Sequence, residues 1–249
     1  LENGINLNTN FNSKLNFDKK ILHKYSKLFN QNEFINYISI LKADFNNNIS
    51  LNLDSTYKVK DYNYSISGKI EKSKIQLLNS IKNNFITEEI KEVYFSNLHI
   101  KTNFNPKDIK MSGEGQYSFN NLDFSKINIK NNLKNDTINL NLSFDYINNF
   151  VIDLINYRKP NNSVASISLD LKKKKDSINI NNFNIKEGNN LIKINGVAFK
   201  KNKFLKFTKI EVATVNNNFV IQNGKKISIK GDQFDATNLA KFFRKPSNE

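Results

Sequence analysis

Apolar and polar residues alternate with period two along most of this chain. Ile5, Leu7, Phe11, Leu15 and Phe17 share odd positions, with Asn, Thr, Ser or Lys between most of them. Ile49, Leu51, Leu53, Tyr57 and Val59 repeat the pattern, and Ile66 and Ile70 share one parity with Gly68 between them, a strand glycine of the kind that marks a bulge or a close backbone approach. The clearest later runs are Ile138, Leu140, Leu142, Phe144 and Tyr146, then Ala165, Ile167, Leu169 and Leu171. Shorter pairs follow: Ile178 and Ile180, Ile192 and Ile194, Ile227 and Ile229. Successive strand side chains point to opposite faces, so each segment has one apolar and one polar face, as in an antiparallel sheet solvated on one side.

Read this way, the chain holds about fourteen strands. They lie near 3–17, 37–46, 48–60, 62–71, 93–105, 108–120, 122–130, 136–147, 163–172, 176–186, 190–200, 203–214, 217–223 and 225–231. Polar turns are expected at Asp61, Asn120-Asn121, Asn131-Asn132, Lys174-Lys175-Asp176 and Asn223-Gly224, the last being the strongest hairpin signal. With only 8 Gly and 3 Pro, Asn is expected to take the left-handed turn positions.

Helices are few. Asp18 is placed to cap a helix with Ile21, Leu22, Tyr25, Leu28 and Phe29 on its apolar face, and a second short turn is expected over Asn32 to Ile38. Residues 76–91 fit either a helix or strand–loop–strand. Asp235 or Thr237 is placed to cap a last helix with Leu239, Ala240, Phe242 and Phe243, stopped by Pro246. The expected fold class is mainly β: an elongated, curled antiparallel sheet forming a groove, with one or two short helices. Residues 1–249 are expected to make one β-rich domain, with a helical insert near 18–38 and a short terminal helix near 236–245. Arg158 to Ser163 is the best linker candidate and reads equally as a long hairpin loop, the favoured alternative. The chain begins at Leu1 rather than Met, as expected of a C-terminal fragment of a larger protein.

Composition narrows the chemistry. Without Cys there are no disulfides, thiolate metal sites or Cys nucleophiles, and with only His23 and His99 there is no multi-His site. The longest apolar run, Phe150 to Ile155, is broken by Asp153 and is far short of the ~18 residues of a membrane span. No catalytic motif stands out. Glu88-Glu89 reads as a solvated pair, Asp232 and Asp235 as helix-start residues rather than cation ligands, and His99 as a polar-face residue. No GxSxG occurs, and Gly113-Glu-Gly115 is not followed by a helix. Neither an enzyme nor a cofactor is expected.

The net charge is +15, from 38 Lys+Arg against 23 Asp+Glu. The chain has 47 Asn, 36 Lys and 30 Ile but 2 Arg, the bias of an A+T-rich coding sequence, so much of the basic charge reflects codon usage rather than an anionic partner. Lys172 to Lys175 and the looser cluster Lys200, Lys201, Lys203, Lys206 and Lys209 would suit anionic lipid headgroups. Nucleic acid is the weaker partner, because the Arg needed for bidentate contacts is missing.

One stretch resembles a known family. Ile178 to Gly196 reads as strand, Gly-containing loop and strand. The segment Asn218 to Leu239 places Ile227, Ile229, Gly231, Phe234, Asp235, Ala236 and Leu239 in the pattern I-x-I-x-G-x-x-F-D-A-x-x-L. Over about residues 178–240 the chain resembles the C-terminal repeats of AsmA-like envelope proteins, particularly the YhdP-type branch. The resemblance implies a bridge-like lipid transport module, with acyl chains shielded in an apolar β-groove and phospholipid or another acyl lipid as partner. It also implies contact with the inner or outer membrane surface, and a periplasmic location in a Gram-negative envelope with an inner-membrane anchor outside this fragment. Candidate groove residues are Ile138, Leu140, Leu142, Phe144, Ile167, Leu169, Leu171, Ile178, Ile180, Ile192, Ile194, Ile227 and Ile229. The same alternation is equally that of a structural or adhesive β-stack with a closed hydrophobic core.

Overall fold

The computed structural model describes residues 4–26 and 37–243. The expected turn over Asn32 to Ile38, apart from its last two residues, lies outside the described residues, as do Leu28, Phe29 and Pro246. The side chains of Tyr25, Phe242 and Phe243 are likewise outside the description.

The fold is mainly β. Fourteen strands form one open antiparallel sheet, in which nearly every strand pairs with the next along the chain. In order these are β1 (Ile5–Asp18), β2 (Ile38–Leu53), β3 (Val59–Ile81), β4 (Ile90–Phe104), β5 (Asp108–Ser118), β6 (Ser125–Lys134) and β7 (Thr137–Tyr146). After the small separate pair β8 (Val151–Ile152) and β9 (Tyr157–Arg158) come β10 (Ala165–Lys174), β11 (Ser177–Glu187) and β12 (Asn190–Lys200). The series ends with β13 (Lys203–Lys206), β14 (Lys209–Thr214), β15 (Asn217–Asn223) and β16 (Ile227–Gln233). β13 and β14 share one side of β12, β13 on its last residues and β14 on its first. The two short helices are α1 (Lys19–Ser26) and α2 (Leu239–Phe243). The chain divides into two compact units, Leu1–Ser80 with Ile90–Leu142, and Ile81–Glu89 with Ser143–Glu249.

In the first unit Asp18 caps α1 as its position suggests, its carboxylate accepting the Ile21 amide at 2.9 Å. The expected break near Asn47 does not occur, and β2 runs through it. Asn47 is buried on the apolar face, and its amide is satisfied there. It donates to Ser13 Oγ at 3.0 Å and accepts from the Tyr64 hydroxyl at 2.8 Å, one partner on each neighbouring strand. The turn expected at Asp61 lies earlier. Asp54 accepts from the Thr56 and Lys58 amides and from the Thr56 hydroxyl, and these bonds hold its carboxyl below the usual carboxylate range. Asp61 is a strand residue opposite Asn52. The turn expected at Asn131-Asn132 falls instead at Asn135-Asp136, where both φ angles are positive, as a two-residue hairpin of this hand requires. Residues 76–91 resolve as strand, loop and strand.

Asn does take the turn role. Asn121, Asn135, Asn156 and Asn202 have left-handed φ between elements, and Asn97 has it at a pairing irregularity within β4. Gly68 lies beneath Phe45, where a Cβ would come within 2.9 Å of the Phe45 Cα and sit 2.1 Å from the Asp44 carbonyl oxygen. In the second unit, Gly196 has φ +66° and the Thr208 hydroxyl at 2.1 Å from a would-be Cβ. The Gly196→Ala variant is expected to lose at least ~1–2 kcal/mol from the left-handed backbone alone. Gly224→Ala, at a turn with ordinary φ and open space, is expected to stay within ~0.5 kcal/mol of the parent. Urea unfolding midpoints check the pair; equal midpoints would contradict the left-handed, close-packed geometry at Gly196.

Candidate apolar binding site

The site lies wholly in the second unit and is built by register. In an antiparallel pair, directly opposed residues share a face. Pairing β10 through β16 therefore strings single residues into rows across the strands. One row runs Ile167, Ile185, Ile192, Val212, Phe219 and Gly231. The next runs Leu169, Phe183, Ile194, Ile210, Ile221 and Ile229. A third, Leu171, Ile180 and Val197, is kept on the same face by a bulge between Asp170 and Leu171 that leaves Asn181 unpaired with β10. The alternation that exposes Ile178 and Ile180 in sequence is thus out of phase with Phe183 and Ile185, and the bulge restores it.

A second layer lies over the middle of the first row, leaving Ile167 half-buried and Gly231 exposed. Between β7 and β10 the chain leaves the sheet, makes the β8–β9 pair and a short 3-10 turn at Asp153–Ile155, and buries Phe150, Ile155 and Tyr157. Residues 81–89 join it: Val151 donates to the Phe85 carbonyl at 2.9 Å, and Ile86 bridges Phe150. Beneath this cover Ile185, Ile192, Val212 and Phe219 are buried. In the second row Phe183, Ile194, Ile210 and Ile221 are only half-buried, and Ile229 on the edge strand β16 is 68% exposed.

Between cover and sheet lies a cavity of about 530 Å³, within the ~300–1,000 Å³ of small-molecule sites. It is lined by Phe85, Ile86, Phe144, Phe150, Ile155, the first row from Ile167 to Phe219 and the second from Phe183 to Ile221, and Asn83 and the Tyr146 phenol bring the polar side-chain groups of this lining. Of the residues expected in a groove, Phe144, Ile167, Ile192 and Ile194 line it. Leu169, Leu171 and Ile180 share its face beyond the lining, and Ile178 stands opposite Phe199 further along. Ile138, Leu140 and Leu142 belong to the first unit and do not line it. Ile227 and Ile229 stand exposed on β16.

Sequence reasoning missed the cover. Its signal was the run Phe150 to Ile155, and Arg158 to Ser163, expected to be a hairpin loop, is the covering segment's return to the sheet. Two polar clusters hold it. At the turn, Asn217, 1% exposed, donates to the Ile155 carbonyl at 2.8 Å and accepts the Asp235 amide at 2.9 Å. Asn156, in left-handed conformation, donates to Asp235 at 2.9 Å and accepts from Asn238 at 3.1 Å. Asp235 therefore serves this latch and the Thr237 amide, not the start of α2, which begins at Leu239. At the return, Lys159 is 1% exposed and donates to the Ile147 and Pro160 carbonyls at 2.8 and 2.9 Å. Burial holds its ammonium below the usual lysine range, and nearby Glu187 partly offsets this. Glu187 accepts from Asn190 at 2.6 Å and from the Tyr157 hydroxyl at 3.0 Å. The Asn190 bond is the first cause that keeps its carboxyl below the usual glutamate range, while burial and the hydrogen bond to Glu187 push the Tyr157 phenol well up.

No group of three or more metal-ligating side chains occurs among the described residues. His99 is exposed opposite Glu114, the His23 side chain lies outside the description, and Glu88 accepts from Asn148 at 2.9 Å as a loop anchor. No family model, curated protein or solved structure matches the chain.

The Glu187 cluster makes the cover acid-sensitive. A carboxyl whose folded pKa is lowered stabilises the fold above its unfolded value, ~4.3, and that contribution is lost as pH falls through the folded value. Thermal unfolding of Glu187→Gln against the parent is expected to show a deficit on the order of 1 kcal/mol at pH ~7 that closes below pH ~4. A deficit independent of pH would contradict the assignment.

Proposed function

We propose that this chain is a lipid-binding module that shields acyl chains in the apolar cavity of its second unit, a carrier rather than a catalyst. The observation that carries the reading is a cavity walled by two isoleucine-rich rows, one beneath a latched cover and the other left half-open. A packed core would leave no such space, and a catalytic site would bring polar groups into it.

Magnitudes suit exchange rather than storage. Burying about fourteen methylenes gains ~11 kcal/mol at ~0.8 kcal/mol each. Association costs at least ~4 kcal/mol in lost freedom, which leaves roughly 7 kcal/mol, near micromolar affinity. A wall that is apolar apart from Asn83 and the Tyr146 phenol offers a chain few fixed points, so the chain can slide. The resemblance of residues 178–240 to AsmA-like envelope proteins supports phospholipid as the lipid and bridge-like transport in the Gram-negative periplasm as the setting, with the inner-membrane anchor on a segment outside this sequence. The buried first row favours the second reading, a structural β-stack with a closed core, for that row alone.

Lipid extraction and mass spectrometry of the purified protein, with titration of a fluorescent fatty acid, test the proposal. Acyl lipid is expected to co-purify. The Ile194→Trp variant, which fills the cavity, is expected to weaken probe binding about ten-fold or more, since a few displaced methylenes suffice. A folded protein that carries no lipid and binds no probe would contradict the proposal.

A further inference from the structure

The apolar face of the second unit does not end at the cavity. Beyond the third row, Ile178 opposes Phe199, and Phe199 opposes Phe204 on β13. Phe204 packs against Phe199 and Phe207, with ring centroids 5.9 and 6.5 Å away, yet is 56% exposed. Its neighbour Leu205, at the β12–β13 irregularity, is 58% exposed. The face thus runs from the latched cover to an apolar tip open to solvent.

That tip stands among lysines. The antiparallel order brings the β10–β11, β12–β13 and β15–β16 turns to one end of the unit. Backbone bonds tie this end together: Lys201 donates to the Asp176 carbonyl, and Asn223 donates to the Thr208 carbonyl, both at 2.9 Å. The first turn carries Lys172 to Lys175, the second Lys200, Lys201, Lys203 and Lys206, and the third Lys225 and Lys226, all exposed. The same strands and turns carry the carboxylates of Asp170, which accepts from Asn181 at 3.3 Å, of Asp176, and of Glu211, which is paired with Lys209 at 2.9 Å. The opposite end holds the cover, Glu187 and Asp235.

We infer that this lysine-ringed tip is the docking surface for an anionic phospholipid bilayer, with Phe204 and Leu205 entering the interface and the lysines meeting the headgroups. The inference rests on the lipid-carrier reading and names the membrane contact through which a chain would reach the cavity. Two signals together, an apolar insertion and a basic patch, are what stable interfacial binding needs. A nucleic acid would use the lysines but has no use for an exposed Phe-Leu pair projecting from them, and among the described residues no Arg stands at this end.

Sedimentation of the full chain with vesicles of about 30% phosphatidylglycerol in phosphatidylcholine, against pure phosphatidylcholine, tests it. Binding to the anionic vesicles alone is expected, weakening as salt rises above about 0.1 M. Replacing Lys200, Lys201 and Lys203 by Gln is expected to cost about five-fold per lysine. Leu205→Ser, and Leu205→Ser with Phe204→Ser, are expected to cost about ten-fold or more. The single change keeps the test standing if the double variant fails to fold by circular dichroism. Equal binding by parent and Leu205→Ser, no preference for anionic vesicles, or tighter binding to duplex DNA than to vesicles would overturn the inference. Co-purifying lipid is measured on the same proteins. Lost vesicle binding with lipid retained removes the docking surface but not the cavity reading, and vesicle binding by a lipid-free protein does the reverse.

Discussion

The cross-strand register of the second unit is the constraint on which the site depends. Each strand alone offers only two to four apolar residues on one side. Pairing aligns Ile167 with Ile185, Ile185 with Ile192 and Ile192 with Val212, and so turns short alternations into continuous rows. A slip of one residue would turn a strand's apolar set to the solvent face. The bulge near Asn181 and the left-handed Gly196 belong to the same constraint, because they return Ile180 and Val197 to the apolar face where strict alternation would have turned them away.

Much of this was legible from the chain. Period-two alternation identifies most strands, and the Asp18 cap and the Asn-based turns follow from local chemistry. What stayed hidden depends on distant partners. Asn47 looks like a strand break until Ser13 and Tyr64 are known to flank it. Asp61 looks like a turn residue, whereas Asp54 organises its turn through bonds to Thr56 and Lys58. The cover over the first row is held by Asn217 and Asp235, 62 and 79 residues from their partners Ile155 and Asn156, a separation that no local pattern reveals.

Cover and opening divide the labour of one apolar face. The first row is sealed by Phe150, Ile155 and Tyr157 and anchored by the Lys159–Glu187–Tyr157 cluster, so it behaves as core. The second row keeps enough exposure to meet a guest, and the face continues past it to Phe204 and Leu205 among the lysines. On the proposed reading, stability and binding draw on the same alternation, and the position of the cover decides which residues serve which end. The +15 charge acquires a local meaning here: whatever codon usage contributes elsewhere, three turns bring lysines together beside an exposed apolar tip.

The central claim is that the face is sealed over one row and open over the next, and thiol reactivity measures it directly. The chain has no cysteine, so single Val212→Cys and Ile210→Cys variants each report one position. They stand two residues apart on β14, in the covered and the open row. The account predicts that Cys at 210 reacts with a small maleimide much faster than Cys at 212, and that a bound fatty acid slows 210 while leaving 212 unchanged. Equal protection at both positions, unaffected by fatty acid, would show a closed core and contradict the account.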